Sequence, residues 1–101
     1  MSWLARARVR DVVVAAEPDV VLMHGVAVLR RLGARITRYD AEAGTAEARL
    51  RCFTRPALVR LQAEATGGAA TRLHVESDAL AWAPKFRRFR GDLLRLERPP
   101  A

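Results

Sequence analysis

The stretch Pro84-Lys85-Phe86-Arg87-Arg88-Phe89-Arg90-Gly91-Asp92-Leu93-Leu94-Arg95-Leu96-Glu97 decides how the rest of the chain is read. Phe86, Phe89, Leu93 and Leu96 recur at i, i+3, i+7 and i+10, which makes a narrow apolar stripe on a helix. Lys85, Arg87, Arg88, Arg95 and Arg98 fill much of the remaining surface. Pro84 suits a first helical turn, and Pro99-Pro100 forbids continuation. Two rings and two leucines on one stripe need a flat apolar layer to lie on, and the residues before them alternate as strands do.

Working back, Thr71 to Ser77 places Leu73 and Val75 inward and Arg72, His74 and Glu76 outward. Leu58 to Ala65 places Val59, Leu61, Ala63 and Ala65 inward, and Gly67-Gly68 between the two segments supplies a turn able to take positive φ. A loop over Gly67-Gly68-Ala69 sets Glu64 opposite Arg72, Gln62 opposite His74 and Arg60 opposite Glu76. Two of these are opposite-charge pairs worth about 0.2–1 kcal/mol each, an ordinary solvated ladder. Thr45 to Phe53 alternates with Ala46, Ala48, Leu50 and Cys52 inward, and Thr54-Arg55-Pro56 is expected to break it. Ala34 to Tyr39 is a short strand, and Asp40-Ala41-Glu42-Ala43-Gly44 a turn.

Pro18 to Leu32 is a helix, opened by Glu17-Pro18-Asp19 and stopped by Gly33 in the left-handed region. Val21, Leu22, Gly25, Val26, Val28, Leu29 and Leu32 share its apolar half, while Val20, Met23 and Ala27 lie toward the polar side. A first strand spans about residues 7–15. Asp11 interrupts its apolar phase, and a bulge near Arg10-Asp11 restores it. Residues 78–83 read as a loop or one early helical turn, with Trp82 tucked under the last helix. The architecture is an α+β two-layer sandwich, an antiparallel sheet of about five strands with two helices on one face, in the order β-α-β-β-β-β-α.

The chain has 101 residues, half of them apolar, which suits one compact domain over 1–101 with residues 1–6 and 98–101 as tails. No apolar run reaches the roughly 18 residues a membrane span needs. The start of the sequence lacks the basic-then-apolar pattern of a signal peptide, so the cytoplasm is the expected compartment. A lone cysteine, Cys52, allows no internal disulfide framework and reads as a buried structural thiol. The formal charge of +7 suits nucleic acid, an acidic partner or an anionic membrane surface. Seventeen of the eighteen basic residues are arginine, a bias that GC-rich coding also produces.

A helix ending Leu32-Gly33, a strand, Tyr39-Asp40 with Gly44 beyond, and a hairpin turning at Gly67-Gly68 into Thr71-Arg72-Leu73-His74-Val75 precede the closing helix. This order resembles two groups. One is the set of small domains of TATA-box-binding-protein-like topology, including those of the outer-membrane assembly lipoprotein C family. The other is the helix-grip superfamily of START and polyketide-cyclase domains. The chain is short for a full helix-grip fold and has no lipidation cysteine near its start. Neither resemblance carries a catalytic residue onto a position here.

For chemistry, His24 lies on the polar side of the first helix and His74 on the outward side of the last strand, without an acid, serine or cysteine placed by pattern to partner either. Ser2 and Ser77 are outside any nucleophile-elbow context. The expectation is a protein that is not an enzyme and needs no cofactor or metal. The leading reading is a binding or assembly module that meets a protein partner or a second copy of itself, with Val20, Met23 and Tyr39 as its surface. One alternative is a nucleic-acid or anion patch of Lys85, Arg87, Arg88, Arg95, Arg98, Arg49, Arg51 and Arg60. The other is a helix-grip-like site for a small lipophilic ligand, lined by Leu61, Trp82, Phe86, Phe89 and Leu93, the least favoured partner class because those residues suffice to fill a core.

Overall fold

Period-two alternation builds the sheet, and the two apolar helical faces cover one side of it. The structure, a computed structural model, describes residues 8–52, 55–78 and 82–95. The elements are β1 (Arg8–Val14), α1 (Pro18–Arg31), β2 (Arg35–Asp40), β3 (Thr45–Cys52), β4 (Arg55–Gly67), β5 (Ala70–Ser77) and α2 (Trp82–Leu94). The five strands form one antiparallel sheet in the order β1-β5-β4-β3-β2. This is the expected α+β sandwich. Among the described residues no helix is long and apolar enough to cross a membrane.

The inner face of the sheet is made of Val12, Val14, Ala46, Ala48, Leu50, Ala57, Val59, Leu61, Leu73 and Val75, all buried. α1 lies across β2 to β5, and α2 lies beside α1 and over β1. Leu22 and Leu29 of α1 and Phe89 and Leu93 of α2 have no exposed surface, and burying each such side chain contributes about 1.5–3 kcal/mol. Gly25 lets the layers come close. A Cβ there would meet Leu61 Cδ1 at 3.1 Å, Leu73 Cδ2 at 3.5 Å and Phe89 Cζ at 3.7 Å.

The ends of α1 follow from its sequence. Glu17 is extended at φ −67°, ψ 151°, with Pro18 next, whose missing N–H costs a helix start nothing. At the other end Gly33 adopts φ +94° and donates to Arg30 O, while Ala34 N–H donates to Leu29 O at 2.9 Å. These are the two bonds of a Schellman stop.

The register of the β4–β5 hairpin is the expected one, with Arg60 opposite Glu76, Gln62 opposite His74 and Glu64 opposite Arg72. The turn differs in detail. Gly67 pairs with Ala70 after a register shift, and the corner is Gly68-Ala69 with φ +59° and +60°. Two central residues at positive φ match the right-handed twist of the strands they join.

Two expectations are corrected. No bulge occurs near Arg10-Asp11, because pairing runs unbroken from Arg8 with Ser77 to Val14 with Thr71. Arg10 stays on the helix side and lays its guanidinium over the Phe86 ring at 5.2 Å, so no phase change is needed. The strand from Thr45 does stop at Cys52, but Arg55 and Pro56, expected to belong to the break, already open β4. Its pairing with β5 starts only at Val59, so Pro56 sits where β4 is locally an edge and a missing N–H is harmless. The irregularity lies instead in β2, between Ile36 and Arg38. The expectations for Leu96, Arg98, the terminal tails, and the Trp82 and Cys52 side chains lie outside what is described.

Candidate functional site

The expected apolar site residues Leu61, Phe86, Phe89 and Leu93 converge, as part of the core rather than the wall of a cleft. Phe86 and Phe89 stack with centroids 6.3 Å apart and planes 28° from parallel. Leu61, Phe89 and Leu93 are fully buried and Phe86 is 7% exposed. Surface of that kind leaves no water-sized space against those three side chains. The rim of this cluster is Phe86 with Arg10 above it, at the side of the sheet where α2 meets β1. Arg10 is the one charged side chain described on the inner face.

The expected cationic patch divides in two. Arg87 and Arg88 are exposed on α2, on the helix side of the sheet, and Arg95 is tied to Asp92 at 3.2 Å. Lys85 is half-buried. Arg49 and Arg51 alternate with the buried Ala48 and Leu50 and therefore face away from both helices. The two sets do not form one surface. Arg60 separates again. It sits half-buried between Glu76 on β5 and Glu47 on β3, with its Nε and Glu76 Oε2 buried and without hydrogen-bond partners.

His74 is where pattern reasoning fell short. Its Nδ1 lies 2.7 Å from Asp11 Oδ1 and its Nε2 lies 2.9 Å from Glu64 Oε2. The hydrogen bond to Glu64 raises its pKa above the ordinary 6.5, burial opposes this, and Asp11 adds to the rise. As imidazolium it donates from both nitrogens and joins β1, β5 and β4 across the outer face. Asp11 was assigned to a bulge, and Glu64 is a diagonal neighbour of His74 rather than its facing residue, so neither was visible as a partner. With both nitrogens engaged on opposite sides of the ring, the group is unsuited to hold one metal between them. No cluster of three or more metal-ligating side chains occurs among the described residues.

His24 also has a partner, its Nε2 lying 3.3 Å from Asp92 O, and so ties α1 to α2. The Thr71 hydroxyl donates to Ala16 O at 2.7 Å and closes the β1–α1 corner. Asp78 Oδ1 accepts from Leu58 N–H at 2.8 Å, so a side chain continues the ladder past the end of β5. Val20, Met23 and Tyr39 are 42, 63 and 43% exposed, and Val13, which was not singled out, is 52% exposed.

No protein-family model and no curated protein matches the chain. Among solved structures the fold is similar to that of BexL, a di-domain aromatase/cyclase (ARO/CYC) from the BE-7585A biosynthetic pathway. The two agree with a TM-score of 0.65 over 89% of this chain, at 15% sequence identity. This chain spans 45% of that chain's length. The likeness is one of fold, and at that level alone it agrees with the polyketide-cyclase side of the resemblance. It also corrects one expectation. An aromatase/cyclase is built on this same arrangement, so the reading of the chain as not an enzyme is overturned.

Proposed function

We propose that this chain is a helix-grip domain that takes a planar lipophilic small molecule between α2 and the inner face of the sheet, in the manner of an aromatase/cyclase domain. The observation that supports this reading is the agreement of fold with the di-domain aromatase/cyclase over 89% of the chain. Phe86 and Phe89 supply aromatic surface where α2 meets the sheet, and Arg10 supplies a cation at the rim for an acidic or enolic oxygen. Holding a flexible reactant in one shape is itself a catalytic contribution, because it removes orientational freedom before reaction.

The closed packing around Phe89 means that α2 must move to admit such a molecule. Its sequence suits that role. Gly91 lies within α2, a Cβ there would touch nothing within 4 Å, and an interior glycine weakens a helix by about 1 kcal/mol relative to alanine. The test is titration of the full chain with naphthol and related planar probes, followed by calorimetry and native mass spectrometry. Saturable one-to-one binding, weakened by Phe86→Ala and slowed by Gly91→Ala, supports the proposal. Failure of every planar lipophilic probe to bind saturably removes it.

A further inference from the structure

The outer face of the sheet, at its β2–β3 corner, carries a charge pattern that ligand binding on the inner face leaves unused. Arg35 of β2 stands directly opposite Arg49 of β3, and Arg51 follows Arg49 two residues on along the same side. All three are exposed. None of them makes an ion pair or hydrogen bond to another described side chain, unlike Arg95, which holds Asp92. Arg38 extends the group along β2, opposite Glu47.

Like charges set directly opposite each other weaken a strand pair. None of the three is held in an ion pair by a described side chain, so their guanidinium groups stay available to carboxylates from outside. The geometry points to this corner as a docking site for an acidic segment of a partner protein, whose carboxylates are received by the guanidinium groups of Arg35, Arg49 and Arg51. A guanidinium is a planar fork that matches a carboxylate through two parallel hydrogen bonds, and three of them on a flat, rigid ladder present those forks already arranged.

A nucleic acid fits the same corner less well. The outward positions beside the arginines on β3 and β4 are Thr45, Glu47, Pro56, Leu58, Arg60 and Gln62, which offer no aromatic platform for bases. This docking face is independent of the proposed ligand site, since it lies on the opposite side of the sheet.

The test uses the full chain and a fluorescein-labelled polyglutamate peptide, with anisotropy read at low salt. Saturable binding that weakens as salt rises is expected. Arg35→Glu with Arg49→Glu should lower the affinity by about tenfold or more, while Arg87→Glu with Arg88→Glu on the helix side should change it by less than about twofold. Circular dichroism verifies that both variants are folded. The inference is overturned if polyglutamate does not bind. It is equally overturned if both double variants weaken binding alike, which would mean unspecific attraction to net charge. Tighter binding of an oligothymidylate of equal charge, lost in the sheet variant, would assign the corner to nucleic acid instead.

Discussion

On the helix side of the sheet, Val59, Leu61, Leu73 and Val75 have at most 1% of their surface exposed and belong to the one apolar cluster shared with α1 and α2. On the other side the same two strands carry Arg60, Gln62, Glu64, Arg72, His74 and Glu76. There the facing charges do not pair as the register suggests. Glu64 turns from Arg72 to His74, and no ion pair joins Arg60 to Glu76. The contrast teaches that backbone register and side-chain pairing are separate questions. Apolar packing is short-ranged and non-directional, so register alone decides it. A charged side chain is long enough to choose among facing and diagonal neighbours, and the best hydrogen-bond geometry wins.

The largest test of this contrast strikes the inner face. Phe89→Ala should lower stability by about 3–5 kcal/mol. That is a large share of the roughly 5–15 kcal/mol a domain of this kind has, and it is read as a fall in the urea midpoint at unchanged slope. A loss below about 1 kcal/mol would mean that the ring does not bridge α1, α2 and the sheet. Gly25→Val comes next. The Cβ alone already meets Leu61, Leu73 and Phe89 within 4 Å and the two methyls add bulk beyond it, so overpacking should cost about 1–3 kcal/mol in the same measurement. Tolerance of valine would show that α1 rides higher on the sheet than the 3.1 Å approach to Leu61 requires.

On the outer face the test is pH. The folded pKa of His74 is raised above 6.5, mainly by Glu64, so its contribution is fully present below 6.5 and is lost as pH rises through the folded value. Stability followed by urea denaturation should therefore fall as the pH is taken upward from 6.5, and His74→Gln should flatten that slope. An unchanged slope in the variant would break the picture of an imidazolium joining β1, β5 and β4.

These differences also mark what was legible in the sequence. Alternation placed Leu61, Leu73 and Val75 inward, and Gly67-Gly68 fixed the hairpin register, because facing residues must share a side. Gly33 stopped α1 through a local backbone preference that needs no tertiary information. The stripe of Phe86, Phe89 and Leu93 correctly demanded a layer to lie on. What stayed hidden depends on which strands become neighbours in space. The order β1-β5-β4 brings Asp11 to His74 across 63 positions of sequence, and no local pattern announces that. The same long-range pairing places Arg35 beside Arg49, while Arg87 and Arg88, grouped with Arg49 by charge alone, end on the opposite side. The phase of β1 was hidden for a related reason. Arg10 belongs on the inner face because Phe86 arrives from α2 to meet its guanidinium.

The smallest expected effect is the most discriminating, because it runs in opposite directions in two measurements. Arg49→Glu converts the facing pair with Arg35 from like to opposite charge. Stability should rise by roughly 0.2–1 kcal/mol. For a domain of this size each kcal/mol moves the melting temperature by about 4–8 °C, so scanning calorimetry resolves the upper part of that range. The same substitution should weaken polyglutamate binding. If Arg49 were only a solvated surface cation, the stability gain would come without loss of binding. If it were paired internally, both would fall. A protein made more stable and less able to bind by one reversed charge is the outcome that separates a corner built for a partner from the self-contained inner face a few ångströms beneath it.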